Sequence, residues 1–228
     1  MAFQVQNLSV LFLLLSYWSL TTTGFTPNEI GNINDYITRT FTINNQFACV
    51  IKFTETECGD LTADTIRNAL ENDKNRINIY DIINGVIHEG ERMVMASFFR
   101  RPDGSGDHAE HRLLTPVNNS PVLQLLNRAP PAGCVIFFSK YSPCYNYCTV
   151  PNGPLSIITK LNQFNKVTDI NNKAFVFNNI YNKELNIDAQ LQRERFKAIN
   201  DHMLLYRCPN QNCIQCFPNN NFNANCVN

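Results

Sequence analysis

Residues 134–148 read CVIFFSKYSPCYNYC, and this stretch decides the fold. Cys134–Phe138 is a continuous apolar run rich in aromatic and β-branched residues, the composition of a strand buried on both faces. Pro143-Cys144 follows it and predicts a helix start, because proline is well suited to the first helical position. Cys144 and Cys148 are four residues apart, so on a helix both sulfurs share one face. Upstream, the polar Gly-rich loop Arg100–Asp107 (RRPDGSGD) delivers the chain into His108-Ala109-Glu110-His111, a second expected helix start. Pro116 and Pro121 cut that helix short and leave a second apolar piece, Val122–Leu126.

Further out, Phe47–Phe53 (FACVIKF) reads as a strand. Thr62-Ala63-Asp64 caps a helical pattern running to about Asn72, with Ile66, Ala69 and Leu70 on one stripe. Ile77–Ile83 and Arg92–Phe99 are expected strands, with Asn84-Gly85 or Glu89-Gly90 as the turn between them. After the cysteine pair come amphipathic Pro154–Phe164, a strand at Ala174–Asn178, a charged amphipathic helix at Ile187–Asn200 and a final strand at Met203–Tyr206. Strands separated by helices in the second half imply parallel crossovers, while the first two pair as a hairpin. The expectation is a mixed sheet sandwiched by helices.

His108, Cys144 and Cys148 offer one imidazole and two thiolates. Zinc held by three protein ligands keeps an open position, where it lowers the pKa of water to about 7. Glu110 lies in the same first turn as His108, placed to shuttle protons without being a ligand. Two other readings stay open: an ordinary Cys144–Cys148 disulfide, and a purely structural zinc site with His111 as fourth ligand.

Lys plus Arg equals Asp plus Glu at 19 each, so no global field attracts a polyanion and any nucleic-acid affinity must be local. Arg100, Arg101, Arg112 and Lys140 are the candidates for such a patch, with ordinary surface as the alternative. Residues 1–24, with the apolar block Val10–Leu15 and small residues at Thr22-Thr23-Gly24, read as a secretory signal with cleavage near Gly24. Export leaves the mature chain without a membrane anchor and makes disulfides permissible among the nine cysteines. A Cys49–Cys58 clip, a buried free thiol at Cys134 and pairing among Cys208, Cys213, Cys216 and Cys226 are expected. The tail pairing is preferred to a second zinc site on Cys213 and Cys216.

His108-x-Glu110 with Pro143-Cys144-x-x-x-Cys148 resembles the signature of the cytidine deaminase superfamily, H-x-E with P-C-x-x-C. The match is closest to the AID/APOBEC branch, through Phe138–Tyr145 (FSKYSPCY) and Ile180-Tyr181 after a strand. With a signal peptide, the chain resembles the secreted AID/APOBEC-like deaminases of fish and other vertebrates. Two departures stand out: the cysteines are spaced C-x₃-C, and the helix bearing His108 is broken by prolines. The resemblance covers about Thr62 to Tyr206. It implies a three-layer α/β/α fold on a five-stranded mixed sheet, with residues 25–60 as an N-terminal extension, 61–207 as the deaminase-like domain and 208–228 as a Cys-rich tail. It further implies Zn²⁺ on His108, Cys144 and Cys148, and Glu110 as general acid and base. Tyr141, Ser142 and Tyr181 would bind substrate, Tyr141 against the target base and Tyr181 near a flanking nucleotide. The implied activity is hydrolytic deamination of cytosine, in a nucleoside or single-stranded nucleic acid, outside the cell and in immune defence. The rival is a secreted binding protein that kept the zinc fold and lost turnover.

Overall fold

The computed structural model describes residues 24–184, 186–209 and 212–227; the expected signal at 1–24 lies, but for Gly24, outside them. In chain order the elements are α1 (Pro27–Thr40), β1 (Phe47–Phe53), α2 (Glu55–Cys58), α3 (Ala63–Arg76), α4 (Ile79–Ile83), β2 (His88–Glu89), β3 (Met93–Ser97), β4 (Phe99–Arg100), β5 (Gly106–Asp107), α5 (Ala109–Leu114), α6 (Pro121–Asn127), β6 (Cys134–Tyr141), β7 (Lys173–Asn179), α7 (Ala189–Asn200), β8 (Leu204–Arg207) and β9 (Ile214–Gln215). A 3₁₀ helix spans Ile158–Lys166.

The main sheet is seven-stranded in the order β2-β3-β1-β6-β7-β8-β9. This corrects the five-stranded expectation: β2 and β9 are edge strands of two residues each, too short to leave a period-2 signal. β1 is antiparallel to both β3 and β6, with Val50 opposite Val94 on one side and Phe137 on the other. β6, β7 and β8 run parallel, as strands joined by crossovers should. β1 falls within residues 25–60, and its place in the middle of the sheet makes that segment part of the core.

Alternation along β1 sends Ala48 and Val50 to one face and Cys49, Ile51 and Phe53 to the other. The second face is covered by α1 and α3. A capping box fixes the start of α1, in which Thr26 and Glu29 each accept the other's backbone N–H, and the helix buries Ile30, Ile33 and Ile37. α3 begins where Thr62 accepts the Thr65 N–H and buries Ile66 and Leu70. On the opposite face α5, α6, the 3₁₀ helix and α7 contribute Leu113, Leu125, Leu161 and Phe196 to a separate core. Helices therefore lie on both faces of the sheet.

Two expected elements take other forms. Ile77–Ile83 is not a strand: Asn78 accepts the Tyr80 N–H at 3.0 Å and starts α4, a local side-chain bond that competes with a ladder. No α-helix starts at Pro143-Cys144. The segment makes a single turn in which Cys144 O accepts from Cys148 N at 2.9 Å and from Thr149 N at 3.1 Å.

The disulfides are Cys58–Cys134, Cys208–Cys213 and Cys216–Cys226. The tail pairs as expected, whereas the Cys49–Cys58 clip and the free Cys134 are corrected by register. Cys134 opens β6 opposite Phe53, at the end of β1 just before α2, which brings it to Cys58. Cys49 lies in the middle of β1, fully buried, its thiol pushed far above its ordinary pKa by that burial.

Candidate active site

The hairpin of β4 and β5 feeds His108 into position as the N-cap of α5, with an extended backbone and no side-chain cap bond. The imidazole is left to other partners. Its Nδ1 lies 3.3 Å from Cys148 Sγ, and its ring sits between Phe98 and Tyr147 at centroid distances of 5.9 and 5.8 Å. Glu110 follows in the first turn of α5 and is 2% exposed. Its Oε1 accepts from Ser139 Oγ at 2.6 Å and its Oε2 from Gln46 Nε2 at 2.8 Å.

One donor atom each from His108, Glu110 and Cys148 converge within 4.8 Å of one another. A tetrahedral zinc site with bonds of about 2.0–2.3 Å has donor–donor edges of roughly 3.5 Å, so the nitrogen–sulfur pair at 3.3 Å already has the required spacing. Imidazole, thiol and carboxylate are all zinc ligands, and the residues present fit the metal that the sequence implies.

Cys144 does not join this group. It is a buried free thiol engaged with Glu184, a buried carboxylate that also accepts from Ser142 Oγ at 3.0 Å and from the Tyr145 N–H. Burial first, and then the charge of Glu184, push the Cys144 thiol up to about 11. Burial, with Glu110 and Cys144 adding to it, raises Cys148 as well. Burial thus disfavours both thiolates, and a bound cation would offset that cost. The helix expected to start at Pro143-Cys144 would have favoured thiolates with its positive end, but the segment is a single turn. Glu184 is itself raised, chiefly by burial.

The substrate candidates lie beside the same turn. The rings of Tyr141 and Tyr181 are 6.0 Å apart. Ser142 is 3% exposed, and its hydroxyl donates to Glu184 and accepts the Tyr181 N–H at 3.1 Å, so it joins the two loops. His111 is half-buried, its pKa lowered mainly by burial, and it lies outside the convergent group.

Of the basic residues considered for a nucleic-acid patch, Arg112 donates to Ser97 O at 2.7 Å and to Gly85 O. Lys140 donates to Ile43 O at 2.8 Å and Asn44 O at 2.7 Å, and Arg101 pairs with Asp107. Sequence reading missed Gln46, Glu184 and the exposed Tyr147. The first two act across 64 and 39 to 42 residues of chain and leave no local pattern. Tyr147, between the two cysteines, was visible in the motif itself.

No helix among the described residues is long and apolar enough to cross a membrane. A family model described as Secreted Novel AID/APOBEC-like Deaminase 1 matches residues 27–228, from the start of α1 to the end of the tail. No curated protein and no solved structure matches.

Proposed function

The chain belongs to this family of AID/APOBEC-like deaminases, and from that premise we propose that it is an extracellular zinc-dependent enzyme converting cytosine and water to uracil and ammonia. The observation that carries the reading is the convergence of His108, Glu110 and Cys148 within 4.8 Å, with the carboxylate already held by two donors. His108, Cys148 and Cys144 would hold the ion, Cys144 by leaving its contact with Glu184. Bound zinc supplies the Lewis acidity that makes water a nucleophile near neutral pH. Glu110 accepts a proton from that water and returns it to the base, the general acid–base role of a positioned carboxylate. Tyr141 and Tyr181 give the base and its neighbour aromatic faces, and Ser142 fixes the spacing of the loops that carry them.

The substrate is a cytosine nucleoside or an unpaired strand, because C4 of cytosine is out of reach inside a duplex. Charge supports the nucleoside. Arg101, Arg112 and Lys140 are committed to partners within the protein, and the formal net charge is zero. Export from the cell fits a part in immune defence.

One observation favours a second reading, a secreted binding protein without turnover: Cys144 is engaged with Glu184 and stands outside the convergent group. Turnover of cytidine, deoxycytidine and a single-stranded C-containing oligonucleotide, measured over a salt series, separates the two. Nucleoside conversion insensitive to salt is the expected result. Oligonucleotide conversion that collapses with salt assigns a strand instead, and no conversion of any substrate by zinc-loaded protein leaves the binding protein.

A further inference from the structure

The proton carrier proposed above is also close enough to the metal position to become a ligand. A carboxylate oxygen of Glu110 lies within 4.8 Å of both His108 nitrogen and Cys148 sulfur, and carboxylates are among the side chains that bind zinc. Were Glu110 to bind the ion, it would fill the position that catalytic sites keep open for water. Something in the protein has to keep the two roles apart.

The surroundings of the carboxylate supply that restraint from three separate parts of the fold. Ser139, fully buried on β6, donates its hydroxyl to Oε1 at 2.6 Å. Gln46, in the loop ahead of β1, donates from Nε2 to Oε2 at 2.8 Å. The orientation of the Gln46 amide follows from its other contact. Its Oε1 accepts the Ala109 N–H at 3.3 Å, and a backbone N–H can only donate, so the nitrogen end must face Glu110. The main chain of Gln46 is pinned in turn, its carbonyl accepting from Phe98 N at 2.8 Å. Each carboxylate oxygen thus has its own donor, one from a strand and one from a loop that also grips the first turn of α5.

We propose that Gln46 and Ser139 are positioning residues that hold the Glu110 carboxylate off the metal, so that it carries protons instead of completing the coordination shell. The inference rests on the reading of Glu110 as the proton carrier of a metal site. The two donors divide the work: the Gln46 amide can only donate to Oε2, whereas the Ser139 hydroxyl can rotate and accept when Oε1 carries a proton. Oε1 is therefore the oxygen that takes and returns the proton.

The test uses cobalt(II) in place of zinc, because its visible bands shift when one ligand, such as water, is replaced by another. Spectra and deoxycytidine turnover are compared for the wild type, Gln46→Met, Ser139→Ala, the double variant and the double variant carrying Glu110→Gln. The double variant should show cobalt bands shifted from those of the wild type, and the shift should be reversed when Glu110→Gln is added. Its kcat should fall roughly 10- to 100-fold, the usual scale for losing the partners that orient a metal site, with KM little changed. Ser139→Thr, which keeps the hydroxyl, should retain both spectrum and turnover. Should Ser139→Ala fail to fold, Gln46→Met alone frees Oε2 and carries the same comparison. Cobalt bound with an unchanged spectrum in the double variant overturns the inference while leaving the metal reading intact. A wild type that binds no cobalt removes the metal reading and the inference with it. The spectral change without turnover of any cytosine substrate supports the clamp and rejects the enzyme.

Discussion

Asp73 offers the sharpest test of how the fold is held. It sits near the end of α3, is 1% exposed, and accepts the backbone N–H groups of Glu91, Arg92 and Met93 at 2.9, 2.7 and 2.8 Å. These amides lead into β3, so one carboxylate fixes the helix to the sheet. Gly90 makes the approach possible: a Cβ there would lie 1.9 Å from Asp73 Oδ1. Burial alone would push the Asp73 carboxyl up, but His88 beside it and the amides outweigh that and hold it below its ordinary value. Hydrogen bonds to a charged group contribute roughly 1.5–3 kcal/mol each and are not additive. Asp73→Asn keeps one acceptor and turns an NH₂ toward N–H donors, so the expected loss is about 3 kcal/mol, which in a domain of this size lowers Tm by roughly 6–12 °C. A depressed pKa contributes stability above the unfolded value, near 4, and that stability is lost as pH falls through the lower folded value. The gap between wild type and variant in thermal melts should therefore be full at pH 7 and close progressively below about pH 4. Gly90→Ala should cost a similar amount and add little to Asp73→Asn, since both break one contact. A Tm for Asp73→Asn within about 2 °C of wild type at pH 7 would refute the reasoning.

The Cys58–Cys134 bridge closes a loop of 76 residues, for which chain entropy gives at most about 4.5 kcal/mol. Replacing both cysteines by alanine should lower the unfolding free energy from denaturant titration by a large part of that, and a change under about 1 kcal/mol would reject the entropic account. Zinc-edge X-ray absorption on the loaded protein should show two sulfurs at about 2.3 Å and one nitrogen at about 2.0–2.1 Å, the nitrogen and most of the metal being lost in His108→Ala. A shell of four sulfurs would mean that zinc sits elsewhere.

Much of this was legible in the sequence because local forces set it. The CVIFF run became the fully buried start of β6, Thr62 capped α3, and Pro116 and Pro121 divided α5 from α6. Cys144 and Cys148 stayed out of disulfides, as their place in the motif implied. What escaped was set by partners distant along the chain. Cys58 found Cys134 because β1 and β6 pair in a register that no spacing reveals. Gln46 lies in a loop and Glu184 ends a short 3₁₀ helix, Asn182–Glu184, and their meaning comes from the buried atoms they satisfy. Ile77–Ile83 misled because a β-rich composition was overruled by one Asn78 side-chain bond.

The proposed deamination of cytosine, with zinc at His108 and Cys148 and Glu110 as proton carrier, has a direct test. Deoxycytidine incubated with chelator-stripped protein, with the same protein restored by one equivalent of zinc, and with zinc-loaded Glu110→Gln measures it directly. Deoxyuridine and ammonia in equal amounts are expected from the restored protein, and none above background from the other two. Equal product from stripped or Glu110→Gln protein, or none from the zinc-restored protein, would contradict it.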